Sequence, residues 1–106
     1  MADEIIVDVD AVVSSGKDFE VSLLVKKPGT PADVDLTLSV NGVPHSFELK
    51  LGGITLTANT VQKITIGAVI DWTVSNWGVA ATGQQVVVVA TEIGGGRQAQ
   101  DSGTVV

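Results

Sequence analysis

The segment from Asp33 to Leu51, DVDLTLSVNGVPHSFELKL, specifies a β-hairpin down to its register. Asn41 and Gly42 tolerate the positive φ angles of a two-residue type I′ turn, so Val40 faces Val43 and the pairing counts outward from there. Val40 with Val43, Leu38 with His45, Leu36 with Phe47 and Val34 with Leu49 then share one face. Ser39 with Pro44, Thr37 with Ser46, Asp35 with Glu48 and Asp33 with Lys50 share the other. One face is apolar and the other polar, the pattern of an antiparallel sheet buried on one side. In this register residues 39 and 44 form a non-hydrogen-bonded pair, so the missing donor of Pro44 points away from its partner and places it at a sheet edge. Pro44, Glu48 and Lys50 are residue types that discourage a further strand from adding to such an edge.

An apolar period of two runs through the rest of the chain, and no sustained helical period occurs. Strands are expected at Glu4–Val13, Phe19–Lys27, Ile54–Thr57, from Val61 to about Val74, at Val86–Glu92 and at Arg97–Val106. The long segment from Val61 carries Ile64, Ile66, Ala68, Ile70, Trp72 and Val74 in phase, and Gly67 inside it marks a bulge or a close backbone approach. Ser75–Gln85 is the longest expected loop. The chain has 106 residues, 44% of them hydrophobic but only 4% aromatic, so its core is built from Val, Ile and Leu. That size gives a single domain, residues 1–106. About seven or eight strands in this length define an all-β chain, an immunoglobulin-like antiparallel β-sandwich.

Twelve acidic residues against six basic ones leave a formal net charge of −6, which repels phosphate backbones. Nucleic acid is therefore not the expected partner. The chain has no cysteine, which removes disulfides, thiolate metal sites and cysteine nucleophiles. Neither a signal peptide nor a run of about 20 apolar residues is present, so no membrane is expected, and synthesis in the cytoplasm is.

A catalytic reading fails on inventory: there is one histidine, and neither cysteine nor tyrosine. His45 lies on the apolar face of the hairpin while Ser46 points the other way, which disfavours a Ser–His dyad. Arg97 is the only arginine and has no evident partner for an anion clamp. Aspartates recur at a spacing of two, Asp8 with Asp10 and Asp33 with Asp35, and Asp35 also faces Glu48 across the hairpin, which makes Asp35 and Glu48 a weak metal-site candidate for a hard cation such as Ca²⁺. The alternative is a set of solvated strand faces neutralised by Lys50, and no cofactor is expected. Gly94–Arg97 is a hairpin turn rather than a phosphate loop, because no helix follows it.

Two features point to binding. Trp77 stands in the long loop, either as a platform for a sugar or protein or folded back to cap one end of the sandwich. Val86, Val88 and Ala90 on one side of VVVVA, and Val87 and Val89 on the other, cannot all face one core. Leu24 and Val69 break the alternation of their strands in the same way. Either these strands are covered on both sides, or Leu24, Val69, Val87 and Val89 belong to a protein interface, in a homo-oligomer or a larger assembly.

The run LTLSVNGVPHSFELKL, the apolar strand ending near Trp72, and Gly83 with VVVVATEI resemble the CARDB-type bacterial immunoglobulin-like adhesion modules over residues 19–93. GGITLTANT adds a strand and a turn to that pattern. The same fold serves in decoration and tail proteins of bacteriophage virions. The resemblance implies a non-enzymatic structural module, most concretely a virion component, or alternatively an adhesion or carbohydrate-binding module acting through the Trp77 loop.

Overall fold

The computed structural model describes residues 5–25, 31–67 and 69–106. The expected strand start at Glu4, the strand close at Lys26 and Lys27, and the inward place of Ala68 lie outside these residues. The strands are β1 (Ile5–Val9), β2 (Val12–Val13), β3 (Phe19–Val25), β4 (Ala32–Val40), β5 (Val43–His45), β6 (Phe47–Leu51), β7 (Ile54–Asn59), β8 (Val61–Ile66), β9 (Ile70–Ser75), β10 (Gln85–Glu92) and β11 (Gln98–Val105). They form a five-stranded sheet of order β1-β3-β9-β6-β7 and a six-stranded sheet of order β2-β11-β10-β4-β5, in which β8 also pairs with β4. The order β1-β3-β9-β6 facing β11-β10-β4 is the A-B-E-D against G-F-C arrangement of an immunoglobulin-like sandwich. The strands β7 and β8 are additions to it.

Alternation sets the core. Val21 and Leu23 of β3, Phe47 and Leu49 of β6, and Trp72 and Val74 of β9 point inward from the first sheet. Val34, Leu36 and Leu38 of β4, Ile64 and Ile66 of β8, and Val86 and Val88 of β10 meet them from the second. Each aliphatic side chain so enclosed stabilises the fold by about 1.5–3 kcal/mol relative to exposure. With so few aromatics, many strands must contribute, and both sheets do.

The hairpin forms at its turn and then departs from the expected register. Asn41 and Gly42 adopt φ of 51° and 82°, and Val40 pairs with Val43, Ser39 with Pro44 and Leu38 with His45. Pro44 lies on an edge strand, as its missing donor requires. At Ser46 the chain leaves this sheet, and β6 joins the opposite one between β9 and β7. Phe47 and Leu49 still point inward, because a residue crossing between two facing sheets meets the same core. The place beside β4 passes to β8, so Leu36 pairs with Gln62 and Val34 with Ile64. The switch also relieves a like-charge contact: Asp35 lies opposite Lys63, its carboxylate 2.9 Å from the ammonium, rather than opposite Glu48. Asp33 accepts a hydrogen bond of 2.6 Å from the Thr65 hydroxyl.

Two other expected strands divide in the same manner. The first breaks at Asp10 and Ala11, leaving β1 in the first sheet and β2 parallel to β11 in the second. At this crossing the backbones come close: a Cβ on Gly103 would lie 2.3 Å from the Asp10 carbonyl oxygen, so only glycine fits. The long segment from Val61 divides at Gly67 into β8 and β9, which lie in different sheets. Gly67 is thus a point of sheet change. A Cβ there meets nothing within 4 Å, so no close approach explains it.

Candidate interaction surfaces

The loop after β9 is anchored inside the fold. Trp77 is 1% exposed; its indole Nε1 donates to the Lys17 carbonyl at 2.7 Å, and its ring meets Phe19 edge-on at 5.7 Å between centroids. His45 Nδ1 donates to the Trp77 carbonyl at 2.8 Å, which fixes the proton on that nitrogen. Trp77 therefore caps one end of the sandwich and offers no ring face to a sugar. The same bond commits His45 to a positioning task at the core rim.

The carboxylate candidates separate. Asp35 is on β4 in the second sheet, paired with Lys63; Glu48 is on β6 in the first, opposite Ser75 and 3.9 Å from Lys50. The hairpin crossing at Ser46 takes them apart. Asp10 accepts the Glu20 amide at 3.0 Å. Among the described residues, no group of three or more His, Cys, Asp or Glu side chains is gathered to hold a metal ion.

Arg97 is not alone. In the turn between β10 and β11 its guanidinium pairs with the Glu92 carboxylate, and the Glu92 amide donates to the Arg97 carbonyl at 2.8 Å. Hydrogen bonding from the Arg97 side chain holds the Glu92 carboxyl below its ordinary value of 4.5, against a smaller opposing effect of burial. A carboxylate with a depressed folded-state pKa stabilises the fold above its unfolded value, and that contribution is lost as pH falls through the folded value. Glu92→Gln is therefore expected to lower the melting midpoint at pH 7, with the gap to the parent closing as pH falls below the ordinary carboxyl value of 4.5. Thermal melts of both proteins above and below that value check it, and a pH-independent gap is the contrary result.

The four outward apolar residues do not form one patch. Leu24 lies on the outer face of the first sheet, opposite Ile6 of β1, and Val69 stands 63% exposed in the link before β9. Val87 and Val89 lie on the outer face of the second sheet. There β10 is central, and the cross-strand rows run Ser39, Val87, Ser102 and Thr37, Val89, Gln100. Val61 of β8 extends the second row beyond Thr37. The sequence carried a signal for Val61, which stands out of phase with the inward set Ile64 and Ile66. The face is thus a short valine ridge set among hydroxyl and amide side chains. A shallow cleft of about 300 Å³ lined by Asp33, Lys63, Ile64, Thr65 and Ile93 lies towards one end of this sheet. Its polar groups already pair with one another or with Asp35.

No protein-family model matches the chain, and no curated protein is similar to it in sequence. The architecture is similar to that of a solved conjugative transposon lipoprotein from Bacteroides eggerthii, with a TM-score of 0.55, 13% identity, and 95% of each chain covered. At that identity the likeness is one of fold. Among the described residues, no helix is long and apolar enough to cross a membrane.

Proposed function

We propose that this chain is a non-enzymatic interaction module that docks on a protein assembly through the outer face of its second sheet. The observation that carries the reading is the central position of Val87 and Val89. Solvated outer faces alternate to polar residues at mid-sheet, whereas a contact face keeps apolar side chains there with a polar rim. Thr37, Ser39, Gln100 and Ser102 supply that rim, and Asp35 with Lys63 lies one row further out. The reading contains no catalytic step, since His45 and Arg97 are each engaged in holding a turn or loop in place. A capsid decoration or tail protein of a virion is one setting for such a module. The solved neighbour is described as a lipoprotein of a conjugative transposon, a second setting in which a sandwich of this kind is used.

The test compares the parent with Val87→Lys/Val89→Lys in the cells that make it, by density-gradient sedimentation of lysates. The parent is expected in a fast-sedimenting fraction and the variant at the top of the gradient, with melting midpoints within a few degrees because both positions are partly solvated. A parent that stays at the top, or a variant that still sediments with the assembly, overturns the reading.

A further inference from the structure

Among the described residues the sandwich has open edges at β1, β2, β5 with β8, and β7, and all but the last carry a feature that discourages strand addition. On β1 the Val9 amide donates to the Asp101 carboxylate at 2.8 Å, and Asp8 stands exposed beside it. The strand β2 has two residues, and β5 has three and contains Pro44. The strand β8 presents Lys63, 71% of whose side chain is exposed. The strand β7, ITLTAN, has six residues with neither a charge nor a proline, and all but Leu56 are exposed. In a chain of net charge −6, it is the edge at which two copies meet with the least repulsion.

We infer that β7 is a self-association edge, pairing antiparallel with β7 of a second copy across a two-fold axis centred on Leu56. The register follows from the hairpin. Leu51 and Ile54 flank the Gly52–Gly53 turn and exchange both backbone hydrogen bonds, so Thr55 directs its N–H and C=O groups away from β6, and the regular ladder ends after Leu56. Centring on Leu56 sets Thr55 of one copy against Thr57 of the other, so that the free Thr55 groups gain partners; the Thr57 carbonyl, which already accepts Gln62 Nε2 at 2.8 Å, meets the Thr55 amide with its second lone pair. The same register lays Leu56 on Leu56 and Ile54 on Ala58, apolar against apolar, and keeps the outer faces of both sandwiches on one side. Ile54, 55% exposed in the single chain, becomes covered. One strand edge buries less than the roughly 1,200 Å² of a stable interface, so the dimer dissociates in the range of about 10 µM to 1 mM. This inference deepens the proposed module by giving it a second, independent contact.

Sedimentation velocity from about 5 µM to about 1 mM reads the outcome. The parent is expected to shift from monomer to dimer, Thr55→Lys/Thr57→Lys to remain monomeric with an unchanged far-ultraviolet spectrum, and Val87→Lys/Val89→Lys to dimerise like the parent. Because the chain has no cysteine, Leu56→Cys is expected to give a disulfide-linked dimer under mild oxidation, with Thr37→Cys as a control that does not. A parent that is monomeric throughout, or a dimer that survives both lysines, overturns the edge assignment. A dimer lost in the Val87 and Val89 variant but not in the lysine variant also overturns it, and moves self-association to the valine face.

Discussion

Replacing Trp77 with alanine is expected to cost about 3–5 kcal/mol of folding stability, the range for removing a buried aromatic side chain. The indole is enclosed, lies edge-on to Phe19, and ties the loop after β9 to Lys17 by its Nε1 hydrogen bond. Truncation empties the end of the sandwich and leaves the Lys17 carbonyl without that donor. It also loosens the backbone carbonyl that receives His45, so the β5 edge loses its tether to the loop. For a chain of this size the cost corresponds to a melting midpoint lower by at least about 12 °C. Trp77→Phe retains an aromatic ring beside Phe19 but loses the hydrogen bond and the volume of one ring, so a cost of about 1–3 kcal/mol, below that of alanine, is expected. Urea unfolding followed by circular dichroism gives both values. If Trp77→Ala instead melts within a few degrees of the parent and abolishes retention on immobilised oligosaccharides, the ring is a binding platform and its packing role is wrong.

The inward residues were legible in the sequence because alternation reports which face a side chain takes. Phe47, Leu49, Ile64, Ile66, Trp72 and Val74 are all in phase with the core, and all are buried. Sheet membership was not legible by the same rule, since a strand that crosses between two facing sheets keeps its inward phase. That is why the hairpin beyond His45 and the segment through Gly67 read as continuous strands. A second signal was available at each point. Continuing the hairpin would have set Asp35 against Glu48, a like-charge pair, while Lys63 lay in phase to replace it. The outward apolar residues met the same limit: Leu24, Val69, Val87 and Val89 were each legible as breaking the inward phase, but no pattern along one chain says that Leu24 and the two valines of β10 point from opposite sides of a sandwich. The Trp77 loop shows a third kind of limit. Its burial depends on Lys17 and His45, distant in sequence and brought together only by the fold.

Gln62 carries the second large effect, and it marks the place where the crossings are fastened. It is in phase with Ile64 and Ile66, so it points into the core from β8, a polar residue where an aliphatic one is expected. Its Nε2 donates to the Phe47 and Thr57 carbonyls, each at 2.8 Å, and these belong to β6 and β7 of the opposite sheet. The pairing of β6 with β7 shifts register between Phe47 and Leu49, and the irregularity exposes these carbonyls to the amide. One side chain thus joins the two sheets at the irregularity. Gln62→Leu keeps the volume but leaves both carbonyls without this donor, and the expected cost is about 2–4 kcal/mol, chiefly from the buried Phe47 oxygen. Gln62→Glu sets an acceptor-only carboxylate against two acceptors, so its folded-state pKa rises. Its stability is retained below the unfolded value and lost as pH rises through the folded one, so this variant is closer to the parent at about pH 4 than at pH 7. That trend is opposite in sign to the Glu92 contribution. Urea unfolding of both variants at the two pH values, with hydrogen exchange at β7, measures the effect. Parent-like stability in Gln62→Leu, with β7 amides equally protected, would mean that the two carbonyls are satisfied without Gln62.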